Sequence, residues 1–278
     1  MKLRLAWTAA LLLVAGALVA EILPIEPGSV WDQNVQEAIK FLRNNGHEAE
    51  ADEIQKHYDD GRISVDTSMG SNGETDNWSN DVTISDEVIG HSLPINRHLK
   101  FDPVADYARI AALARTLLHE NIHANHQNYL YHYWSWVPGE TVKDTFGLET
   151  EDERDAWRES IHAMRGWIDD LIAQIDLVSD PRRKCELLRK LRGLLTEYQS
   201  YIGSYANDNA YFGSSDQAWI AEEKEFVERE IARTDAAMRR FCPRPPQQQE
   251  PPVTEPPPSE PPPTSPPETA PPPPPPPP

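Results

Sequence analysis

Cysteine, basic residues and long apolar stretches are scarce in this 278-residue chain. Its two cysteines, Cys185 and Cys242, are too few for a zinc site built from several thiolates. The chain has 26 lysines and arginines against 45 acidic residues, which gives a net charge of −19. A charge of that sign argues against nucleic acid or an anionic membrane surface as a partner.

The two ends of the chain differ in composition from the middle. Residues 1–20 carry Lys2 and Arg4, followed by a short apolar run that ends in Ala20. This order is typical of a cleaved secretory signal peptide, with an uncleaved anchor as the alternative, and no stable membrane insertion is expected after cleavage. Residues 243–278 hold 21 of the 27 prolines and predict a disordered, polyproline-II-like tail. The tail is either inert or a contact for the cell envelope or a proline-reading partner.

A secreted protein, whether periplasmic or extracellular, meets an oxidising compartment in which cysteines pair. Cys185 lies near the start of one predicted helix, and Cys242 follows the end of the next. A disulfide between them would close the open end of a helical hairpin. We expect this hairpin, residues 179–242, to be an extension packed on a domain formed by residues 21–178.

Apolar periodicity predicts an α+β fold that is mostly α-helical. Alternating apolar residues predict strands at 62–69 and 81–89, and a glycine-containing turn at 70–74 separates them. Helical spacing predicts helices at 30–45, 48–60, 103–133, 149–178, 181–205 and 217–241.

The most informative motif is His-Glu-x-x-His at residues 119–123. Positions four apart share one face of a helix, so His119 and His123 can present imidazole nitrogens to one metal ion. Glu120 directly follows His119, so its side chain leaves the helix in a different direction. There it is better placed to take a proton from water than to bind the same ion. This spacing is typical of zinc hydrolases, in which the metal lowers the pKa of a water toward neutrality. We expect one zinc ion per chain and Glu120 as the general base.

A zinc site of this kind needs a third protein ligand. His126 follows closely, but three nitrogens spread over about 10 Å of helix rise cannot all reach one ion at about 2 Å. We therefore expect His126 beside the cleft rather than on the metal. The alternative to a metal site is that His119 and His123 simply pack against other side chains.

The chain resembles the gluzincin branch of the zincin metallopeptidases over residues 30–178. In that branch a glutamate from a later helix is the third zinc ligand, often within Glu-x-x-Ala, and residues 153–156 match this pattern. The resemblance implies that Glu153 is the third ligand, with Glu149 as the alternative. It also implies an oxyanion-stabilising residue, for which the candidates are His126, Tyr129 and His162.

The resemblance also implies a fold and a function. The expected fold is a zincin-like domain with a small sheet, whose edge strand at residues 81–89 pairs with an extended substrate. The expected function is that of a secreted zinc-dependent peptidase acting on peptides or proteins. The alternatives are a non-catalytic extracellular or envelope-binding protein on the same scaffold, and hydrolysis of another amide such as one in peptidoglycan.

Overall fold

The chain is mostly helical with one small mixed sheet, which confirms the predicted α+β class. The computed structural model describes residues 22–76, 79–92, 97–125, 142–207 and 214–242. The expected signal peptide and Pro-rich tail lie outside these residues. The described residues all belong to one compact unit, which ends at Cys242.

Long helices make up most of the described chain, and α4 carries the His-Glu-x-x-His sequence and is called the motif helix below. None of the described helices is both long enough and apolar enough to cross a lipid bilayer. The helices are α1 (Val30–Asn44), α2 (Glu48–Asp59), α3 (Asp86–Ile89), α4 (Tyr107–Asn125), α5 (Val142–Leu177), α6 (Pro181–Asn207) and α7 (Ser214–Phe241).

Four short strands form the sheet, in the order β1-β2-β4-β3. β2 and β4 run parallel, whereas the two outer pairings are antiparallel. A separate two-residue pairing joins β5 to β6. The strands are β1 (Ile22–Pro24), β2 (Ile63–Asp66), β3 (Gly73–Thr75), β4 (Val82–Ser85), β5 (His91–Ser92) and β6 (Arg97–His98).

The segment predicted as one strand over 81–89 divides into β4 and the short helix α3. Gly90 ends this helix with a φ of +128°, a conformation that favours glycine. The amide nitrogen of Asn34 donates to the carbonyl of Ile89 at 2.7 Å, so this backbone is bonded to a side chain and not to a neighbouring strand. β4 lies inside the sheet between β2 and β3, and β3, in and just beyond the segment predicted as a turn, forms one of its two edges.

Three helices begin at other places than predicted, and the smallest difference is at α7, which starts at Ser214 and not at residue 217. The motif helix starts at Tyr107, because the carboxylate of Asp102 accepts hydrogen bonds from the backbone N–H groups of Val104 and Ala105 and so caps a preceding turn. The predicted continuation of this helix beyond Asn125 lies outside the described residues. Helix α5 starts at Val142, seven residues earlier than predicted.

The motif helix is packed into the hydrophobic core. Its residues Leu113 and Leu117 are almost fully buried. On a neighbouring face of the core, the ring of Phe41 in α1 lies edge-on to Tyr107 at 5.3 Å and to Trp167 of α5 at 4.8 Å. Burial of each large apolar side chain contributes about 1.5–3 kcal/mol, so these contacts fix the motif helix between α1 and α5.

Helices α6 and α7 form the predicted hairpin, and the predicted Cys185–Cys242 disulfide is present. It joins the start of α6 to the end of α7 across a Cα–Cα distance of 5.1 Å, so the two helices run antiparallel. Glu223 of α7 accepts hydrogen bonds from the hydroxyl of Tyr198 in α6 at 2.7 Å and from Arg165 in α5 at 3.0 Å. These contacts tie the hairpin to the helix that carries Glu153.

Candidate metal centre

The structure brings His119, His123 and Glu153 together. The two histidines lie one turn apart on the motif helix, and their Nε2 atoms are 3.2 Å from each other. The carboxylate of Glu153 on α5 faces both rings: Oε2 lies 3.7 Å from Nε2 of His119, and Oε1 lies 3.5 Å from Nε2 of His123. Among the residues whose side chains are described, these are the three whose donor atoms converge within 4.8 Å as a metal site requires.

The three separations fit the geometry of a four-coordinate metal ion. Ligand atoms at about 2.0–2.2 Å from zinc lie about 3.4 Å apart when they occupy the corners of a tetrahedron. The observed 3.2, 3.5 and 3.7 Å bracket that value. Two neutral imidazoles and one carboxylate also form a donor set that zinc accepts, and they leave the fourth corner open.

The three side chains of the site differ in exposure within the described part of the chain. The side chains of His119 and His123 are 13% and 9% exposed, whereas that of Glu153 is 33% exposed. The histidines are therefore largely buried, and Glu153 is the side chain of the three that solvent reaches most.

Tyr201 of α6 supports His119 from behind. Its phenolic oxygen lies 3.2 Å from Nδ1 of His119, the ring nitrogen that faces away from the centre. Burial raises the pKa of Tyr201 to about 12, so the phenol stays protonated at neutral pH. A histidine whose Nδ1–H is bonded in this way presents the lone pair of Nε2 to a metal, and the bond holds the ring in that orientation.

Trp157 of α5 and Tyr201 together form an aromatic wall beside His119. Trp157 lies one turn after Glu153 on the same helix, and its ring meets that of His119 edge-on at 5.5 Å. It also stacks on the ring of Tyr201, with centroids 4.4 Å apart and an interplanar angle of 22°. The two aromatic side chains thus fix one histidine through packing as well as through the hydrogen bond.

Glu120 lies where β3 packs against the motif helix, and it is close enough to His119, His123 and Glu153 to feel their charges. It is 5% exposed, and the hydroxyl of Thr75 donates to its Oε2 at 2.8 Å. A side-chain carbon at Gly73 would lie 2.9 Å from Oε1 of Glu120, so only glycine lets the strand come this close. Burial raises the pKa of the Glu120 carboxyl, and the neighbouring His119 and His123 oppose this shift.

The end of the motif helix is held from α2. One carboxylate oxygen of Glu53 accepts hydrogen bonds from the side-chain amides of Asn121 at 3.0 Å and Asn125 at 2.6 Å. Bonds to an ionised acceptor are stronger than neutral ones, so they hold the turn that carries His123 in place. Glu53, Thr75 and Tyr201 were not among the predicted site residues, because each lies far from the motif in sequence.

Of the other predicted candidates, only His162 has a described side chain, and it does not join the cluster. His162 is exposed, with its ring edge-on to Trp219 of α7 at 5.4 Å. Nine helical residues separate it from Glu153, which places it on the opposite face of α5. Glu149 lies in α5, but its side chain is outside those described, and His126 and Tyr129 lie outside the described residues altogether.

The position of Glu153 within α5 shows that this acidic residue does not serve to stabilise the N-terminus of the helix. Acidic residues favour the first turn of a helix, where they meet the exposed N–H groups. Glu153, however, lies 11 residues, about three turns, into α5.

Comparisons of the chain with protein-family models, with curated proteins and with solved structures found no match.

Proposed function

We propose that the protein is a secreted zinc-dependent peptidase. The observation that carries the proposal is the convergence of His119, His123 and Glu153 at separations of 3.2, 3.5 and 3.7 Å, with Glu120 next to one of them in the chain. The proposal gives the three residues the role of zinc ligands. It gives Glu120 the role of general base.

Zinc is favoured over other metals by donor type and geometry. Magnesium and calcium prefer all-oxygen sites, which a pair of imidazoles does not provide. Iron(II) also uses two histidines and one carboxylate, but an octahedral ion holds adjacent ligands about 3.0 Å apart. Two of the three observed separations, 3.5 and 3.7 Å, are clearly longer than that. The set therefore suits a tetrahedral ion with one open position.

The chain's own residues divide the chemistry between them. Zinc, when bound, supplies a Lewis acid for the scissile carbonyl and lowers the pKa of a water toward neutrality. Glu120 accepts the proton of the attacking water and later passes it to the leaving amine. Thr75 holds the Glu120 carboxylate by its 2.8 Å hydrogen bond, which limits the rotamers that this base can adopt. Tyr201 and Trp157 keep His119 in its ligating orientation.

An extended peptide is the substrate shape that fits the strand beside Glu120. β3 is one of the two edge strands of the described sheet, and it is the edge strand that contacts the proposed general base. A peptide that adds to such an edge forms main-chain hydrogen bonds with little dependence on its side chains. This placement supports a peptide bond as the target. It favours that bond over an amide within a branched or cyclic polymer.

Location outside the cytoplasm belongs to the same proposal. It is supported by the signal-like residues 1–20 and by the disulfide, since disulfides persist mainly in oxidising compartments. The rival is a non-catalytic binding protein that keeps the metal site as a structural element. A structural zinc site is closed by four protein ligands, whereas the described residues supply three here.

Hydrolysis of a protein substrate separates the peptidase from the binding protein. Purified full-length protein is incubated with casein, with and without a zinc chelator, and compared with Glu120→Gln. The proposal expects hydrolysis that the chelator abolishes, that added zinc restores, and that Glu120→Gln lacks while still binding zinc. Hydrolysis that persists in Glu120→Gln, or none in the zinc-loaded wild type, contradicts it.

A further inference from the structure

A cavity of about 320 Å³ lies behind the aromatic wall of the metal centre. Its lining includes Trp157 and Tyr201, the two side chains that contact His119 from the other side. Two arginines of the motif helix, Arg109 and Arg115, also line it, together with two glutamates, Glu87 of α3 and Glu197 of α6. The cavity thus adjoins the centre but has charged groups of its own.

Arg115 is the unusual member of this lining. It lies one turn before His119 on the motif helix and is only 6% exposed. Its guanidinium donates to Oγ1 of Thr116 at 3.1 Å and lies 3.9 Å from the ring centroid of Tyr201. Among the described residues, no carboxylate oxygen comes within the 4.0 Å that defines an ion pair with Arg115.

A buried guanidinium without a bonded anion is costly, because burial removes its hydration and neutral partners replace only part of it. Arginine carries five N–H donors in a planar fork that matches both oxygens of a carboxylate. In Arg115 the partners are the neutral hydroxyls of Thr116 and Tyr201, and the Tyr201 ring covers a face of the plane. The side chain also lines the cavity, where an anionic ligand would offset the cost.

We propose that this cavity is a substrate subsite that binds a carboxylate group through Arg115, with Arg109 as the second cation. The proposal rests on the peptidase function and deepens it by naming a substrate class. Arg115 and His119 are four residues apart on one helix, so their side chains are neighbours on one face. A residue of extended chain spans about 3.3 Å, which places the bound carboxylate within a few residues of the cleaved bond. The carboxylate is either the free C-terminus of the peptide or an acidic side chain.

Two glutamates oppose the arginine charge in this cavity, the exposed Glu87 and the more deeply placed Glu197. Arg115 and Arg109 both act electrostatically on the carboxylate of Glu197. Since it would repel a bound carboxylate, its removal should strengthen binding, whereas removal of Arg115 should weaken it. The two substitutions therefore have opposite expected signs. An ammonium-binding cavity would show the reverse pattern.

The test measures binding to metal-free, full-length protein by calorimetry, so it does not depend on hydrolysis. Three N-acetylated tripeptides serve as probes: acetyl-Ala-Ala-Ala with a free C-terminus, its C-terminal amide, and acetyl-Ala-Ala-Glu amide. We expect at least one carboxylate probe to bind roughly 10- to 100-fold more tightly than the neutral amide. Which of the two does so distinguishes a C-terminal carboxylate from an acidic side chain.

Matched variants assign the effect to the cavity. Arg115→Gln is expected to remove the preference for carboxylate, and Glu197→Gln to keep or increase it. Arg229→Gln is the control, since it removes the same charge from an exposed position on α7. Equal affinity of the wild type for all three probes, no measurable binding of either carboxylate probe, or the reversed signs overturns the proposal. The wild-type comparison needs no variant, so it stands even where Arg115→Gln does not fold.

The result of this binding test can be distinguished from the result of the peptidase test. Carboxylate-selective binding by a protein that takes up no zinc would support the cavity and contradict the peptidase. Zinc-dependent hydrolysis without any preference for carboxylate would support the peptidase and contradict the proposed role of the cavity.

Discussion

The phenolic oxygen of Tyr201 lies 3.2 Å from Nδ1 of His119, although 82 residues separate the two in the chain. Helix α6 therefore contributes directly to the metal centre and is more than an attachment to it. A hydrogen bond to the distal nitrogen holds the ring in the orientation that a metal ligand needs. The hairpin that the disulfide closes thus contacts the candidate metal centre through this one hydroxyl.

Tyr201→Phe is expected to weaken zinc binding by roughly 10- to 100-fold, because it removes the bond to His119 while keeping the ring that packs against Trp157. Competition with a chromophoric chelator measures the zinc affinity. Tyr198→Phe is the matched control, since that buried hydroxyl bonds to Glu223 and not to the centre. Equal zinc affinities of the two variants would show that the Tyr201 bond has no role in metal binding.

Gly73→Ala is expected to lower kcat by roughly 10- to 100-fold, because the new methyl group would lie 2.9 Å from Oε1 of Glu120 and displace the base. Zinc content should stay unchanged, since the atoms nearest to the added carbon belong to Glu120 and Thr116 and not to the proposed zinc ligands. Gly70→Ala is the control, as nothing lies within 4 Å of the added carbon there. Kinetics and zinc analysis of both variants check this, and a Gly73→Ala enzyme of normal kcat would contradict the assigned position of the base.

Loss of the disulfide is expected to lower the free energy of unfolding by about 4 kcal/mol, from the chain entropy of a loop that spans 57 residues. Urea unfolding of the wild type and of the Cys185→Ser, Cys242→Ser double variant measures it. The bond lies at the end of the hairpin away from Tyr201, so the folded variant should bind zinc normally. A double variant as stable as the wild type would exclude the expected contribution.

The stability of the protein should depend on pH through Glu197. Burial raises the pKa of its carboxyl, and the positive charges of Arg115 and Arg109 only partly oppose this. The folded state then holds a proton that the unfolded state releases, so this group's contribution to stability falls as pH rises above about 4.3, the usual glutamate value. Glu197→Gln removes the effect.

The prediction for Glu197 is checked by urea unfolding of both proteins from about pH 4 to about pH 7. The stability gain of Glu197→Gln over the wild type should be smallest at the acidic end and increase toward neutrality. A gain that is constant with pH, or one that increases toward acid, would contradict the raised pKa.

The two histidines of the candidate metal centre could be predicted from local sequence alone. His119 and His123 could be placed together because four residues make about one helical turn, a relationship that needs no tertiary information. The disulfide followed from two cysteines at matching ends of two predicted helices. The prediction of Glu153 also required a resemblance to a known arrangement of ligands, because spacing alone does not show which acidic residue faces the motif.

The residues that surround the centre could not be read from local patterns. Gly73 and Thr75 lie in and beside a segment whose composition predicts a turn, and only the pairing with β4 makes it an edge strand. Tyr201 has the helical spacing of an ordinary core residue. Arg115 reads as one charged residue on a helix, and its burial against Tyr201 results from how α6 packs on the motif helix. Tertiary packing decides each of these.

Zinc content measured on purified full-length protein tests the metal centre most directly. The protein and the variants Glu120→Gln, His123→Ala and Glu153→Ala are stripped with a chelator, supplied with excess zinc, desalted and analysed by mass spectrometry of the metal. The proposed centre predicts one zinc ion per chain in the wild type and in Glu120→Gln, and substantially less in the two ligand variants. A wild type that retains no zinc, or ligand variants that retain as much as the wild type, would contradict it.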